Sequence, residues 1–184
     1  MLLKVVGGIV AAAVLVVGVL AVIVATRPSE FRIERATTIA APAPVVFAQV
    51  NDFHKWEAWS PWAKLDPQVK NSYEGAPAGQ GAVFAWAGND KVGEGRMTIT
   101  DSRPNELIRI KLEFRKPFAA TNTAEFAFKP DGDRTAVKWS MFGHNNFMSR
   151  AVFLFVDMDK ALGGEFEKGL AAMKAAAEAS AKKE

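Results

Sequence analysis

The chain has 184 residues, the length of one domain plus a short extra segment. Its 23 Lys and Arg stand against 20 Asp and Glu, a net charge of +3, too even a balance for a nucleic-acid-binding protein. It contains no cysteine, which excludes disulfides, Cys-ligated zinc, iron–sulfur clusters and thiol catalysis.

The 49% hydrophobic content is unevenly spread, since residues 1–26 hold 21 such side chains. What remains is about 44% hydrophobic, ordinary for a soluble domain long enough to bury a core. Val5 to Ala25 is an unbroken run of Val, Ala, Leu, Ile and Gly. As a helix it would be about 30 Å long, the thickness of the hydrocarbon core of a bilayer. The run is longer than the apolar region of a signal peptide, and Ile23-Val24-Ala25-Thr26 does not place small residues at both positions a cleavage site requires. A retained single-pass anchor over residues 1–28 is therefore expected, with the domain proper over residues 29–184. A membrane location is expected on that reading. Lys4 on one side and Arg27, Arg32 and Arg35 on the other, mixed with Glu30 and Glu34, leave the side of the domain open.

Arg27-Pro28-Ser29 breaks the first helix. Phe31 to Ile39 largely alternates apolar and polar residues, the signature of a half-buried strand. Pro44 suits the first turn of a helix over 45–50, and Asp52 can cap a second short helix reaching Trp56. Six short alternating runs follow near 68–74, 82–87, 91–101, 106–115, 120–129 and 134–142, separated by turn-forming residues such as Gly88-Asn89-Asp90 and Pro130-Asp131-Gly132-Asp133. Connections this short predict antiparallel hairpins. Phe84 with Trp86, Ile108 with Ile110, Leu112 and Phe114, Ala124 with Phe126 and Phe128, and Val137 with Trp139 and Met141 place one apolar, aromatic face opposite a charged one.

The closing helix is expected from Asp157 or Asp159 to about Ala179, with Leu162, Phe166, Leu170, Met173 and Ala177 on one stripe and Lys182-Lys183 at its positive-preferring end. Gly163-Gly164 inside it costs roughly 1 kcal/mol per glycine relative to Ala. Either a close approach by backbone or ligand, or a local bend, is expected there. The predicted architecture is α+β.

The motifs sharpen this order. Glu34-Arg35-Ala36-Thr37-Thr38-Ile39-Ala40-Ala41-Pro42 is followed by Pro44-Val45-Val46-Phe47, then by Val50-Asn51-Asp52-Phe53-His54-Lys55-Trp56 and Trp59-Ser60-Pro61-Trp62. Together with Gly93-Glu94-Gly95-Arg96-Met97, Asn122-Thr123-Ala124-Glu125-Phe126 and Asp157-Met158-Asp159-Lys160, they resemble the polyketide cyclase/dehydrase branch of the START-like (SRPBCC) superfamily, in particular its membrane-anchored bacterial members. The resemblance covers roughly residues 31–178 and implies a helix-grip fold: a curved antiparallel sheet around a long C-terminal helix, with a deep cavity for small hydrophobic ligands between them. Members range from lipid carriers to cyclases, so the resemblance speaks for fold more than for activity.

Candidate ligand-binding side chains are Trp59, Trp62, Phe84, Trp86, Phe114, Phe126, Trp139, Phe147 and Phe166, large rings able to stack on a flat ligand or simply to fill a core. The only two histidines, His54 and His144, have no spacing that suggests a metal site. His144, Glu94, Arg96 and Glu125 are conceivable acid–base groups, but alternation places Glu94 and Arg96 with Thr98 and Thr100 on the solvent face. No catalytic residue, metal or cofactor is assigned. The segment Gly143 to Val156, with Phe147, Met148 and Val152-Phe153-Leu154-Phe155-Val156, is more apolar than a connector needs; it fits a lid over the domain or a patch that touches lipid. The expected function is a membrane-anchored domain that binds a hydrophobic small molecule, a lipid or an aromatic, polyketide-like compound. The alternatives are a cyclase or dehydratase and a membrane-tethered interaction module. Nucleic acid is not an expected partner, and the oligomeric state is left open.

Overall fold

The structure, a computed structural model, describes residues 2–182, with side chains from Val5 onward. The side chain of Lys4 and the whole of Lys183, used above in the charge arguments, lie outside the described residues. The chain forms two compact units, one of residues 1–31 and 144–157, the other of residues 32–143 and 158–184.

In the first unit, helix α1 (Leu2–Thr26) contains the apolar run, and its stretch Val5–Thr26 is long and apolar enough to cross a membrane. The chain leaves it through Ser29, whose carbonyl accepts a 2.7 Å hydrogen bond from the Asn145 backbone N–H. The same unit contains α3 (Phe147–Val152), a short helix where only an apolar connector was expected. Asn146 caps it by accepting from the Ser149 N–H at 2.8 Å. Six residues are too few for helical periodicity to show, so an Asn three positions before a Ser was the only signal.

The second unit is built on an antiparallel sheet of seven strands, β1 (Glu30–Ile39), β2 (Lys70–Gly75), β3 (Ala82–Ala87), β4 (Glu94–Arg103), β5 (Leu107–Lys116), β6 (Ala120–Asp131) and β7 (Arg134–His144), in the order β1-β7-β6-β5-β4-β3-β2. Each expected strand is present. β2 starts two residues later than predicted, because Asp66 closes a turn first: its carboxylate accepts from the Gln68 N–H at 2.9 Å and from the Asn89 N–H at 2.7 Å. Pro130 sits inside β6 rather than in the turn, which tightens to Gly132-Asp133. The pairing of β5 with β6 has ended at Leu107 and Ala127, so the missing proline N–H removes no bond on that side.

Helix α2 (Ala43–Asn51) begins with Pro44 in its first turn, and Asp52 caps the 3-10 helix Phe53–Ala58 by accepting from the His54 N–H at 2.9 Å. Helix α4 (Met158–Ala181) closes the unit. Its buried line is Gly163, Phe166, Leu170, Met173 and Ala177 with Gly169 beside it; Leu162, expected on that line, is only half-buried. Gly163 takes the inner place because the Arg35 guanidinium lies directly against it. Arg35 donates to both carboxylate oxygens of Asp159 at 3.0 and 2.9 Å and to Glu167 at 2.7 Å. At Gly163, therefore, a side chain makes the close approach for which a backbone or ligand was expected. Gly164 has open space around it.

Together the strands form the curved sheet and α4 the gripped helix of an α+β helix-grip fold. Ile99, Ile108, Ile110, Phe126, Val137 and Trp139 are buried on the inner face, and Phe166, Leu170 and Met173 come down from α4 to meet them. Fully burying an apolar side chain of this size contributes roughly 1.5–3 kcal/mol, so this layer dominates the stability of the unit.

Candidate functional site

Cross-strand register sets which side chains share the inner face. One row runs Tyr73, Phe84, Met97, Leu112, Asn122; a second runs Trp86, Gly95, Phe114, Ala120; a third pairs Ile108, Phe126 and Trp139. The rows meet different surroundings.

The Phe126 and Trp139 row is filled. Trp139 stacks on Phe166 with ring centroids 4.1 Å apart and an angle of 7° between planes, and on Phe126 at 4.9 Å. Trp59 meets Phe126 edge-on at 6.0 Å and Trp139 at 5.6 Å, and Trp56 packs on Trp59 at 4.6 Å. Gly169 lets α4 approach so closely that a Cβ there would stand 2.8 Å from the Trp139 ring and 3.1 Å from Pro61. Trp62, half-buried, covers this block from the 60–65 turn, with its ring 5.9 Å from Trp139 and 6.4 Å from Phe166.

The block contains one polar irregularity. The indoles of Trp56, Trp59 and Trp86 donate to the carbonyls of Val50, Gln49 and Val92 at 3.0, 3.0 and 2.9 Å. Trp139 Nε1 is buried and has no hydrogen-bond partner among the described residues. An unmade hydrogen bond of this kind costs about 1–3 kcal/mol, so a solvent molecule or a ligand acceptor reaching it would be strongly held.

In the two rows toward β2 and β3, Phe84, Trp86 and Phe114 are half-buried, Met97 is buried and Tyr73 is exposed. Phe84 stacks beside Trp86 at 6.0 Å, Trp86 meets Phe114 edge-on at 6.0 Å, and Tyr73 lies 5.3 Å from Phe84. Leu112 and Asn122 continue this strip, both partly accessible. Desolvation raises the Tyr73 hydroxyl above the ordinary range, aided by the negative charges of Glu57 and Asp52. His54 stacks on the Tyr73 ring at 4.0 Å and is held to Asp52 at 2.9 Å.

The nine sequence candidates thus fall into three groups. Trp59, Phe126, Trp139 and Phe166 form the filled block, with Trp62 as its cover. Phe84, Trp86 and Phe114 line the half-open strip. Phe147 belongs to the other unit, on α3. Sequence reasoning placed Leu112 on this face without naming it as a candidate, and it missed Tyr73 and Asn122; the period-two pattern of β6 could have placed Asn122 with Ala124 and Phe126.

The ionisable candidates lie on the opposite face of the sheet. Glu94 pairs with Lys116 at 3.0 Å, Arg96 with Glu74 at 3.6 Å and Glu125 with Arg109 at 2.7 Å. Glu34 is held below the usual carboxylate range by its hydrogen bond from Arg32, with Lys138 nearby. A shallow depression of about 440 Å³ lies where this face meets the β5–β6 hairpin, lined by Arg96, Glu113, Phe114, Arg115 and Thr121. Two of the buried polar side chains hold loops, Asp66 as described and Thr135 by donating to the Ala41 carbonyl at 2.8 Å. Among the described residues no three His, Asp or Glu side chains converge as metal ligands do.

The fold has many counterparts. A solution structure from Thermobifida fusca superposes with a TM-score of 0.59 at 19% identity, covering 78% of this chain and 90% of that one. A protein of Chromobacterium violaceum gives 0.57 at 13% identity over 83% and 99% of the two chains. StfQ, a di-domain ARO/CYC of the steffimycin biosynthetic pathway, gives 0.59 at 14% identity, covering 83% of this chain and 52% of that one. At these identities the likeness concerns fold alone. A search among curated proteins finds no match by sequence. The sequence itself matches the model of a family described as polyketide cyclase/dehydrase and lipid transport across residues 30–178, and the chain belongs to that family.

Proposed function

We propose that the protein is held in a membrane by α1 and that its sheet-and-helix unit binds a flat, apolar small molecule, a lipid or an aromatic, polyketide-like compound. The observation that carries the reading is the half-buried strip Phe84, Trp86, Leu112 and Phe114 on the inner face of the sheet, with the exposed Tyr73 at its edge. Aromatic rings packed on one another and left partly accessible offer large contact area at small entropic cost. Asn122 at the end of the strip supplies the kind of isolated polar group that orients a ligand in an apolar site. The filled block beside it gives the strip a rigid back wall. The length and lack of charge of Val5–Thr26 support the anchor.

The test is native mass spectrometry of the full-length protein released from detergent micelles. A small apolar adduct is expected on the wild-type chain and on the outer-face variant Arg109→Ala, and its loss is expected on Trp86→Ala. A bare mass for the wild type, together with no change in its tryptophan fluorescence on adding anilinonaphthalene sulfonate, would overturn the binding reading.

A further inference from the structure

The first unit contains a feature that neither the anchor nor the ligand strip uses. The last turn of α1 is closed by side chains: Thr26 Oγ1 donates to the carbonyls of Val22 and Ile23 at 3.1 and 3.0 Å. The Arg150 guanidinium donates through Nη1 to the carbonyls of Ala25 and Arg27 at 3.2 and 3.1 Å. Val24 is the one buried side chain among residues 5–26. Helix α3 is therefore fixed at the level of the final turn of α1, where an apolar span of this length reaches the edge of the hydrocarbon.

At that level α3 and its trailing turns present an uncovered apolar surface. Met148 is 65% exposed, Val152 46% and Phe155 81%, with Phe147 and Val156 beside them. Positions 148, 152 and 155 fall on one face of a helical path that continues through the hydrogen bonds of Phe153, Leu154 and Phe155 to Ser149, Ala151 and Val152. Ser149 and Arg150 lie off that face. Arg150, 6.0 Å above the Phe147 ring, is placed like the arginines that keep their charge at the headgroups while their stems lie in apolar surroundings.

We propose that Phe147, Met148, Val152, Phe155 and Val156 insert into the bilayer at the end of α1, making 147–156 a second membrane contact that lies in the interface without crossing it. Such a contact adds buried apolar area to the anchor, and it holds the segment after β7 flat against the lipid. The occupant of this surface is lipid because α1 sets its height. The inference rests on the reading of α1 as a membrane segment.

The chain has no native cysteine, so single nitroxide labels are clean. Full-length Met148→Cys, Val152→Cys and Phe155→Cys are reconstituted into phosphatidylcholine vesicles and compared for accessibility to oxygen and to a water-soluble nickel chelate. Val16→Cys is the reference inside the span, and Asp133→Cys, in the β6–β7 turn, the reference in water. Labels at 148, 152 and 155 are expected to favour oxygen over nickel severalfold relative to the label at 133. If they take up nickel as readily as the label at 133, the surface faces water and the inference fails. If they are shielded from both reagents, a protein covers it, and the inference fails equally. A label at 16 that itself reads as aqueous removes the anchor and the interfacial contact together, whereas a lipid-exposed 16 with aqueous 148 and 155 removes the contact alone.

Discussion

Two adjacent glycines in α4 should respond to the same substitution with opposite signs. Gly164 has nothing within reach of an added Cβ, so Gly164→Ala should stabilise the protein by about 0.5–1 kcal/mol through helix propensity alone. Gly163→Ala makes the same gain, but its methyl would occupy the space of the Arg35 guanidinium. Displacing that group disturbs its bonds to Asp159 and Glu167, and forcing an extra methyl into a packed site costs typically about 1–3 kcal/mol. The net expectation is a destabilisation of roughly 0–2 kcal/mol, the opposite direction from its neighbour. Urea unfolding of full-length protein in a mild detergent, followed by near-UV circular dichroism, measures both. The double variant Arg35→Ala/Gly163→Ala completes a cycle: with the guanidinium gone the methyl fits, and the two changes should be coupled by about 1–3 kcal/mol. If Gly163→Ala stabilises as much as Gly164→Ala, or if the cycle shows no coupling, Arg35 does not occupy the space under Gly163.

Three further outcomes are expected. Asp159 and Glu34 are both held below the usual carboxylate range, chiefly by hydrogen bonds from Arg35 and Arg32 respectively. Their contribution is present above the unfolded values of about 4 and is lost as the pH falls through the lower folded ones, so Asp159→Asn should flatten the acid limb of stability against pH. Tyr73 is the only tyrosine and is raised mainly by desolvation; phenolate absorbance should appear above the ordinary value of about 10, and stability should fall as the pH rises from there through the folded value. Phe166→Ala should cost about 3–5 kcal/mol by thermal unfolding, because its ring fills the space against Trp139. Trp139→Phe keeps a ring in the stack and removes an unpartnered donor worth about 1–3 kcal/mol of penalty, so it should cost much less than Phe166→Ala; equal losses would refute the assignment of that donor as unsatisfied.

The elements were legible where one physical signal was strong and repeated. Alternation in Ile108-Arg109-Ile110-Lys111-Leu112 set both the strand and its inner face, and Pro44 and Asp52 marked helix starts by chemistry specific to a first turn and a cap. The closing stripe erred by one position, at Leu162, because Arg35 arrives from a strand more than a hundred residues away and a pattern within α4 carries no trace of it. The site was legible as a collection of rings and illegible as an arrangement. Trp59 and Trp62 look equivalent in sequence, yet one is buried in the block and the other covers it, a difference decided by the turn at Pro61. Tyr73 was missed because β2 is exposed along its length, which leaves little alternation to read.

The close approach at Gly169 changes where a ligand would bind. A hydrophobic sheet facing a hydrophobic helix suggests a space beneath the helix. Here the helix comes down until Gly169 touches Trp139 and Pro61, and Phe166 stacks on the same indole. A flat molecule has no room under the middle of α4 unless Trp139 or Phe166 turns away, and that motion forfeits the stacking of Trp139 on Phe166. Among the described residues, Phe84, Trp86 and Phe114 have no ring contact with α4. They are rigid enough to be ordered, since the Trp86 indole is bonded to Val92, and they remain half-buried. On the proposed reading, the physical cost of accepting a ligand is therefore smallest on the β3–β5 strip, and the aromatic block under α4 would act as the wall against which it is placed. Substitutions at Trp86 or Phe114 should accordingly alter binding with little loss of stability, while those at Trp139 or Phe166 should alter stability first.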